Sequence, residues 1–564
     1  MKDDATIVKE CIQRYEAAEQ KRREVSPVLE QLAKYARPAV ENISGETSTG
    51  VSGNKDATRS TRLFDTTLMR AVNDYGAGIK AWMSPANSRW FSATPHEMYG
   101  HDEEVHKWHQ KVTEIMEREQ NATGFHAEDF EAVIDGGAFG TRALMITETG
   151  NPERPLSTKR YEPGRFSIME NADREVDQVY FTEQFTPEQA KGKFGEAALP
   201  EGVKGRLAGN KSTQQEDVYV LCIYTRDPDE YDVNMLGGEN MPVASNWIHL
   251  NSKTLVRKSG FPEFPAVISR RLRWSNTPWG RSAAIDALAD ARQLNSLQCD
   301  LDLLAAIAAN PRLLLPVEFE GNVNLQPGGP TYYTAPDRMP KTWGTEGSSI
   351  EGQERVRMRQ KHIEDALHLD VFKAFRKITK EITATEAIAI QNEAIDLFSP
   401  EYSMMATEHY TKVLNRQFLI MLRAGRFPPV PKKMQIEMED GSMEIMPPQI
   451  VFSSRIALAI TNRNREAIIA DIRFRAEMVP LIGPAALDGM DMAKALNIVS
   501  RGNGVPEDVL RTTEQMAEIQ AARAEAEAAA AQAAQMEQVA SAAGKVKGSK
   551  AEEELLARAD AATQ

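Results

Sequence analysis

From Ser282 to Asn310 the chain reads SAAIDALADARQLNSLQCDLDLLAAIAAN, with no glycine or proline, and Asn310-Pro311 closes the run. Nothing in it breaks a helix, and at 1.5 Å per residue it predicts a rod of about 40 Å. A second helical run follows from about Glu351 to Leu369. Between the two lies a stretch from Arg312 to about Trp343, whose Leu313-Leu314-Leu315 and Tyr332-Tyr333 read as strands. Two long helices on either side of a small β insertion are the feature around which the rest of the chain has to be arranged.

The remaining sequence gives that excursion a body. Residues 1–36 form a helical run with Ile7, Cys11, Ile12, Tyr15, Val25, Leu29, Leu32 and Tyr35 on its apolar side, ended by Arg37-Pro38. Residues 41–58 are rich in Ser, Thr, Gly and Asn and read as a loop. Helical spacing returns over about 60–83 through Leu63, Phe64, Leu68, Ala71, Val72, Tyr75 and Ile79, and again over 102–121 and 126–136. The stretch 141–270 changes character: Ala143 to Ile146, Val179 to Phe181 and Val218 to Leu221 read as strands. Thr383-Ala384-Thr385-Glu386 is a capping box that puts a helix start near Ile382, and Ser399-Pro400 reads as a second N-cap. That helix should stop at Gly425, with an extended Pro-rich segment over 426–465 and helix again from Asn464. More than half of residues 517–543 are alanine, a strong helix former with little apolar face to bury.

At 564 residues the chain is too long for one ordinary core, so it holds two or more modules or one elongated subunit. It has no run of 18 apolar residues and no secretory h-region at its start, so neither a membrane span nor a signal peptide is expected. Cys11, Cys222 and Cys299 are odd in number and far apart, which predicts small buried side chains in a reducing compartment rather than a disulfide framework. The formal net charge of −14 argues against tight wrapping of nucleic acid, but not against a wall that DNA slides past.

Catalytic chemistry has no motif here. There is no Walker A sequence and no G-x-S-x-G elbow. Gly136-Gly137-Ala138-Phe139-Gly140 is read as close backbone packing. His101, His106 and His109 lie near one another, but a solvated helix face is the plainer reading than a metal site, and no cofactor or metal is expected. Three basic clusters stand out. Arg270, Arg271 and Arg273 precede Trp274; Arg355, Arg357, Arg359 and Lys361 stud the second rod; Lys373, Arg376, Lys377 and Lys380 surround Phe375. A solvated helix face is the default for each, and phosphate contact the functional alternative.

Five segments, in this order, resemble the head-to-tail connector (portal) family of podoviruses. They are Leu32-Ala33-Lys34-Tyr35-Ala36-Arg37-Pro38; Arg59-Ser60-Thr61-Arg62-Leu63-Phe64-Asp65-Thr66-Thr67 with Ala71; Trp82-Met83-Ser84-Pro85 with Arg89-Trp90-Phe91; Arg273-Trp274 with Pro278-Trp279-Gly280-Arg281-Ser282, Ala287-Leu288 and Leu294-Asn295; and Ile382-Thr383-Ala384-Thr385-Glu386 with Glu393. The resemblance covers residues 32 to about 425.

It implies an α+β, mainly helical, elongated subunit that forms a ring, usually of twelve copies. A wing would occupy 1–281, the stem helices 282–309 and 352–370, the β-rich clip 310–351 and the tunnel loop 371–384. Wing helices and an extended segment would follow over 385–464, the crown over 465–504, a helical barrel over 505–543 and a flexible tail over 544–564. Arg355, Arg359, Lys373, Arg376 and Lys377 are the expected DNA-channel contacts. Trp82, Trp90, Phe91 and Trp279 are candidates for the subunit interface, with core packing as the alternative fate of each. The implied partners are further copies of the chain, double-stranded DNA read without sequence preference, the large terminase, the major capsid and scaffolding proteins, and a tail adaptor. The implied location is the portal vertex of the virion, reached from the host cytoplasm, with no membrane and no enzymatic activity. The rival readings are a nuclease-like subunit of a nucleic-acid-processing enzyme, which Mg²⁺-dependent cleavage of DNA would reveal, and a capsid scaffold protein, which the β-rich middle third disfavours.

Overall fold

The long N-terminal helix, α1 (Asp4–Tyr35), buries Ile7, Val8, Cys11, Ala18, Val25, Leu29, Leu32 and Ala33, a stripe at helical spacing close to the expected one. It stops at Ala36, before Arg37-Pro38, as the proline requires. The structure is a computed structural model. It describes residues 3–40, 63–99, 102–207, 216–232, 237–309, 312–314, 341–343, 349–374, 398–437 and 443–453, the single residues 43 and 235, and short runs between 468 and 536. Two compact units divide the chain, Met1–Ala459 and Ile460–Gln564.

In the first unit α1 is followed by α2 (Thr67–Met83), β1 (Phe91–Thr94), α3 (Glu103–Ala122) and α4 (Phe125–Phe139). The second helix starts later than the periodicity predicts. The Asn295 side chain accepts from the backbone N–H groups of Phe64 and Asp65 at 2.8 and 3.4 Å, and the Asp65 carboxylate accepts from Thr67 N–H at 2.8 Å. Those bonds hold Phe64 and Asp65 outside the helix.

The middle third is antiparallel sheet, built from β2 (Thr141–Glu148), β3 (Leu156–Tyr161), β4 (Phe166–Glu170), β5 (Val176–Phe185), β6 (Asp217–Thr225), β7 (Val243–His249), β8 (Thr254–Phe261) and β9 (Ala266–Arg270), with α5 (Pro187–Phe194) and α6 (Glu201–Leu207) between β5 and β6. Five strands pair in the order β4-β5-β6-β7-β8 and three in the order β3-β2-β9. Strand β6 is central and buried on both faces, which is why Val218 to Tyr224 reads as a nearly unbroken apolar run. Its Val220, Cys222 and Tyr224 face α1, through Ile7, Val8 and Cys11. The smaller sheet stacks Tyr161 on Phe181 of β5, with ring centroids 4.0 Å apart.

Short strands β10 (Leu272–Arg273) and β11 (Gly280–Arg281) lead into α7 (Ala283–Ala309). Strands β12 (Arg312–Leu314) and β13 (Lys341–Trp343) pair antiparallel, and α8 (Ser349–Ala366) and α9 (Leu369–Ala374) follow. The second rod is therefore not continuous to residue 370. The chain turns at Leu367 and His368, the latter at φ +52°. The turn buries Leu367 and Leu369 and brings Phe372 against Trp82, with ring centroids 4.9 Å apart.

Residues 398–405 are helical, so Ser399 lies within a helix and does not cap one. They run through a π-turn at Ala406–Tyr410 into α10 (Thr411–Arg423). Gly425 ends this helix at φ +66°, as expected. The Pro-rich segment then forms β14 (Ile436–Glu437), β15 (Met443–Glu444) and β16 (Gln449–Phe452), the last pairing with β1 in the register Phe91↔Phe452.

In the second unit, residues 468–478 are helical, and the described residues of the Ala-rich stretch up to 536 are helical, most of them exposed. The 383–386 capping box, the tunnel loop beyond Ala374, the middle of the proposed clip and the 544–564 tail lie outside the described residues.

Candidate functional site

Helices α7 and α8 lie side by side and antiparallel. A Cβ on Gly352 would sit 2.7 Å from Leu301 Cδ2, so the Leu301 side chain lies directly over Gly352 of the facing helix. Nearer the body, Arg359 Nη1 donates to Asp290 Oδ1 at 2.6 Å. The near end of α7 is embedded, with Ala283, Ala284, Ala287, Ala291 and Leu294 buried. Its far half leaves Leu303 59% exposed, and α8 leaves Ile350 69% and Met358 49% exposed. Within a single subunit, then, the pair is rooted at one end and carries exposed apolar side chains toward the other.

The second and fourth of the segments that carried the family resemblance meet at the root. Asn295 holds the entry to α2, as described, and Gln360 Nε2 of α8 reaches Asp65 Oδ2 at 3.3 Å. Gly140, at φ +83°, faces Gly280 so closely that a Cβ on Gly140 would lie 2.5 Å from the Gly280 carbonyl oxygen. Gly280 N–H donates to Thr141 Oγ1 at 2.7 Å. A Cβ on Gly137 would lie 2.6 Å from the Tyr75 ring. The glycine cluster is thus close packing, and it fixes where the chain leaves the body to enter α7.

A buried polar network ties the same region together. Asp129 of α4 pairs with Lys80 of α2 and accepts from His409 Nε2 at 2.8 Å. The Nδ1 of His409 lies 3.0 Å from Ser269 Oγ, which in turn accepts from Arg142 Nε at 2.7 Å. Ser84 Oγ donates to Tyr410 Oη at 2.8 Å. This pattern fits a neutral imidazole that donates to the carboxylate and accepts from the serine. The π-turn positions His409 and Tyr410 for it, since the extra residue per turn rotates both side chains inward. Burial alone would raise the Asp129 carboxyl, but Lys80 and His409 outweigh it and hold the group well below the usual carboxylate range. Burial, then the Arg142 charge, pushes His409 down to about 4.

Ser269, His409 and Asp129 are in serine-hydrolase order, but all three are fully buried and none lines a described pocket. Together they tie β9, the π-turn and α4 to one another. No spacing in the sequence could have shown it, because the members come from segments far apart in the chain.

The folded-state pKa of His409 lies below its unfolded value near 6.5, so its contribution is complete above that pH and disappears as pH falls toward 4. Between pH 7 and pH 4 the wild type is expected to lose about 3 kcal/mol more than His409→Gln, measured by urea unfolding at each pH. Parallel slopes for the two proteins would remove the histidine from the account. The comparison with the variant is needed because Asp135, pushed up to about 6 by burial despite Arg37 and Arg160, shifts stability in the opposite direction.

The structure separates the basic residues. Arg355 is exposed on α8, and Arg359, one turn further on, is bonded to Asp290. Lys373 lies in α9, and Arg376 and Lys377 lie outside the described residues. The first basic cluster is an ion-pair hub with Arg270 and Arg271 buried and Arg273 exposed at its edge: Arg271 Nε bonds Glu401 at 2.8 Å, Arg270 pairs with Glu170 and Glu408, and Arg273 with Glu408 at 3.2 Å. The four aromatic candidates pack inside the subunit. Trp82 meets Phe372 and Phe398, Trp90 meets Phe91 and Tyr410, and Trp279 stacks on Phe166. Trp90, Phe91 and Trp279 are at most 2% exposed and Trp82 is 8% exposed. Of the three histidines, His109 is buried with Nδ1 on the Val105 carbonyl at 2.8 Å, and His101 lies outside the described residues. Among the described residues no group of three His, Cys, Asp or Glu side chains is placed to hold a metal.

Residues 8–510 match the family described as bacteriophage head to tail connecting protein. The chain belongs to that family. This connector is 24% identical over 499 residues to the portal protein of Salmonella phage epsilon15, with 86% of each chain covered. It is 23% identical over 504 residues to the probable portal protein of Bordetella phage BPP-1, covering 87% of the connector and 88% of the relative. Among solved structures, a chain from the virion of a native gene transfer agent particle matches with a TM-score of 0.36 at 13% identity, over 77% of the connector and 94% of that chain. A chain from the neck of an empty gene transfer agent particle matches with a TM-score of 0.37 at 11% identity, over 83% and 98%.

Proposed function

We propose that this connector is the portal subunit of a tailed phage, assembling around a central channel through which double-stranded DNA is packaged and ejected. The observation that carries the reading is the α7–β12–β13–α8 excursion, rooted in the body at one end and leaving apolar side chains exposed along the rest, within a family match over almost the whole chain. Copies standing side by side would cover those side chains, and rotation about one axis closes such a head-to-tail contact into a ring. Helices α7 and α8 serve as the stem, β12–β13 as the start of the clip, and the segment after α9 as the tunnel loop. The net charge of −14 per copy gives a wall that mostly repels phosphate. Arg355, Lys373, Arg376 and Lys377 then steady the duplex through its backbone without reading bases, while Arg359 is held by Asp290 between the stem helices. Terminase, tail adaptor, coat and scaffolding proteins are the partners such a ring meets at the vertex, and assembly takes place in the host cytoplasm.

Mass measurement and imaging of the purified protein test the ring: particles of about twelve subunits with a central opening are expected, and a compact particle without an opening would overturn the reading. For the channel, Arg376→Ala with Lys377→Ala should leave ring assembly intact but shorten the packaged genome or weaken its retention. Unchanged packaging and retention in normal rings would remove these two residues from the channel.

A further inference from the structure

We propose that Cys11 and Cys222 are a disulfide-forming pair, which low-molecular-weight disulfides oxidise to staple the N-terminal helix to the centre of the five-stranded sheet. Cys222 sits in the middle of β6, directly across from Asn246 of β7. Asn246 Nδ2 lies 3.7 Å from Cys11 Sγ, so Cys11 sits over the same face of the sheet that Cys222 and its cross-strand neighbour present. Both are free and buried, at 0% and 1% exposure, in one apolar cluster with Ile7, Val8, Tyr180 and Tyr224. The third cysteine, Cys299, is half-exposed on α7 and belongs to no such pair.

The surroundings give the two sulfurs different parts. Cys222, together with Asn246, Tyr224 and Arg14, draws the Cys11 thiol below its usual range, while burial pushes Cys222 well above it. Cys11, on the N-terminal helix rather than in the middle of the sheet, is the thiol that meets the small disulfide first. It lies near the start of α1, whose N-cap Asp3 makes no side-chain capping bond, so opening of the first turns exposes it. The Cys11 thiolate attacks one sulfur of the small disulfide and releases one small thiolate. Cys222 then loses its proton to water, attacks Cys11 Sγ in the mixed disulfide and displaces the second small thiolate. In sum, two protein thiols and one small disulfide become one protein disulfide and two small thiols.

A reducing cytoplasm keeps the pair open during assembly, and an oxidising exterior closes it afterwards. That consequence for a particle rests on the portal reading, whereas the bond itself does not.

The test uses the full chain carrying Cys299→Ser, incubated with oxidised glutathione at 25 °C and again a few degrees below its thermal midpoint, where the first turns of α1 open. Free thiols are then alkylated under denaturing conditions and the peptides mapped by mass. The expected result is a peptide linking Cys11 to Cys222, a thermal midpoint raised by about 3 °C, and reversal of both by dithiothreitol. Adding Cys222→Ala should leave at most a glutathione adduct on Cys11 and no rise in midpoint. If both thiols are still free to be alkylated after incubation at either temperature, or if the links join different molecules, the pairing is refuted whatever the oligomeric state proves to be.

Discussion

Alanine at Gly280 is expected to leave little or no folded subunit, and alanine at Gly140 the same. Each methyl group would collide with backbone of the facing strand, not with a side chain that can swing away. Gly140 adds the strain of an L-residue at φ +83°. The combined cost is roughly 4 kcal/mol or more, near or beyond the margin by which most domains are stable. Gly150 separates the two causes. It too has a positive φ, +74°, but a Cβ there meets nothing within 4 Å. Gly150→Ala should therefore cost only about 1–2 kcal/mol. Soluble yield and urea midpoints of the three variants provide the measurement. A Gly280→Ala protein as stable as Gly150→Ala would show that the two backbones do not meet. The position matters for function because this contact sets the point at which the chain leaves the sheets and enters α7.

The second large effect lies in the buried network. Asp129→Ala removes the carboxylate from between Lys80, His409, Ser84 and Tyr410, leaving an ammonium with little access to solvent and an imidazole N–H without its acceptor. Breaking one side of such a pair typically costs about 3–5 kcal/mol, mostly because of the charge left behind. Adding Lys80→Met removes that charge and should recover about half of the loss, by the same reasoning. Calorimetry of the single and double variants decides the point. If the double variant is no more stable than Asp129→Ala, the ammonium is not the source of the cost.

The second prediction concerns the junction between segments that precede the helix–β–helix excursion and segments that follow it, and the first the point where the chain enters it. Lys80 and Asp129 come before α7, and Glu401, His409 and Tyr410 after α9. Charged groups that satisfy one another inside the body thus anchor the root of the excursion from both sides. The basic run Arg270, Arg271 and Arg273 belongs to the same device, since Glu401 and Glu408 receive its guanidinium groups. In the sequence the same run could equally have been read as a phosphate contact. What distinguishes a paired arginine from one left free for another partner is the distance to an acid about a hundred or more residues away, and no local pattern carries that.

Some elements were legible because their cause is local. The rod over 283–309 follows from an unbroken run of helix-permitting residues, and the stop at Gly425 from a left-handed backbone conformation that glycine tolerates. The apolar stripe of α1 and the apolar run of β6 are readable for the same reason, since period and burial are written residue by residue. Other outcomes needed the folded chain. Asn295 decides where α2 begins from more than two hundred residues downstream, and Leu367 and Leu369 redirect the end of the second rod only because a core lies beneath them.

 Leu367 and Leu369 are both buried at that turn, and no feature of their own sequence neighbourhood places the core against which they pack.

By itself, then, the sequence determined the order and kind of the elements, the uninterrupted first rod, the strand-rich middle and the family. Each of these depends on residues that are neighbours along the chain or on motifs kept in order. Only the tertiary structure decided which charges are internal, that Trp82, Trp90, Phe91 and Trp279 pack within the subunit, and that Cys11 and Cys222 share one buried cluster. The physical reason is that burial and charge pairing act through space, between groups whose separation along the chain places no limit on how close folding brings them.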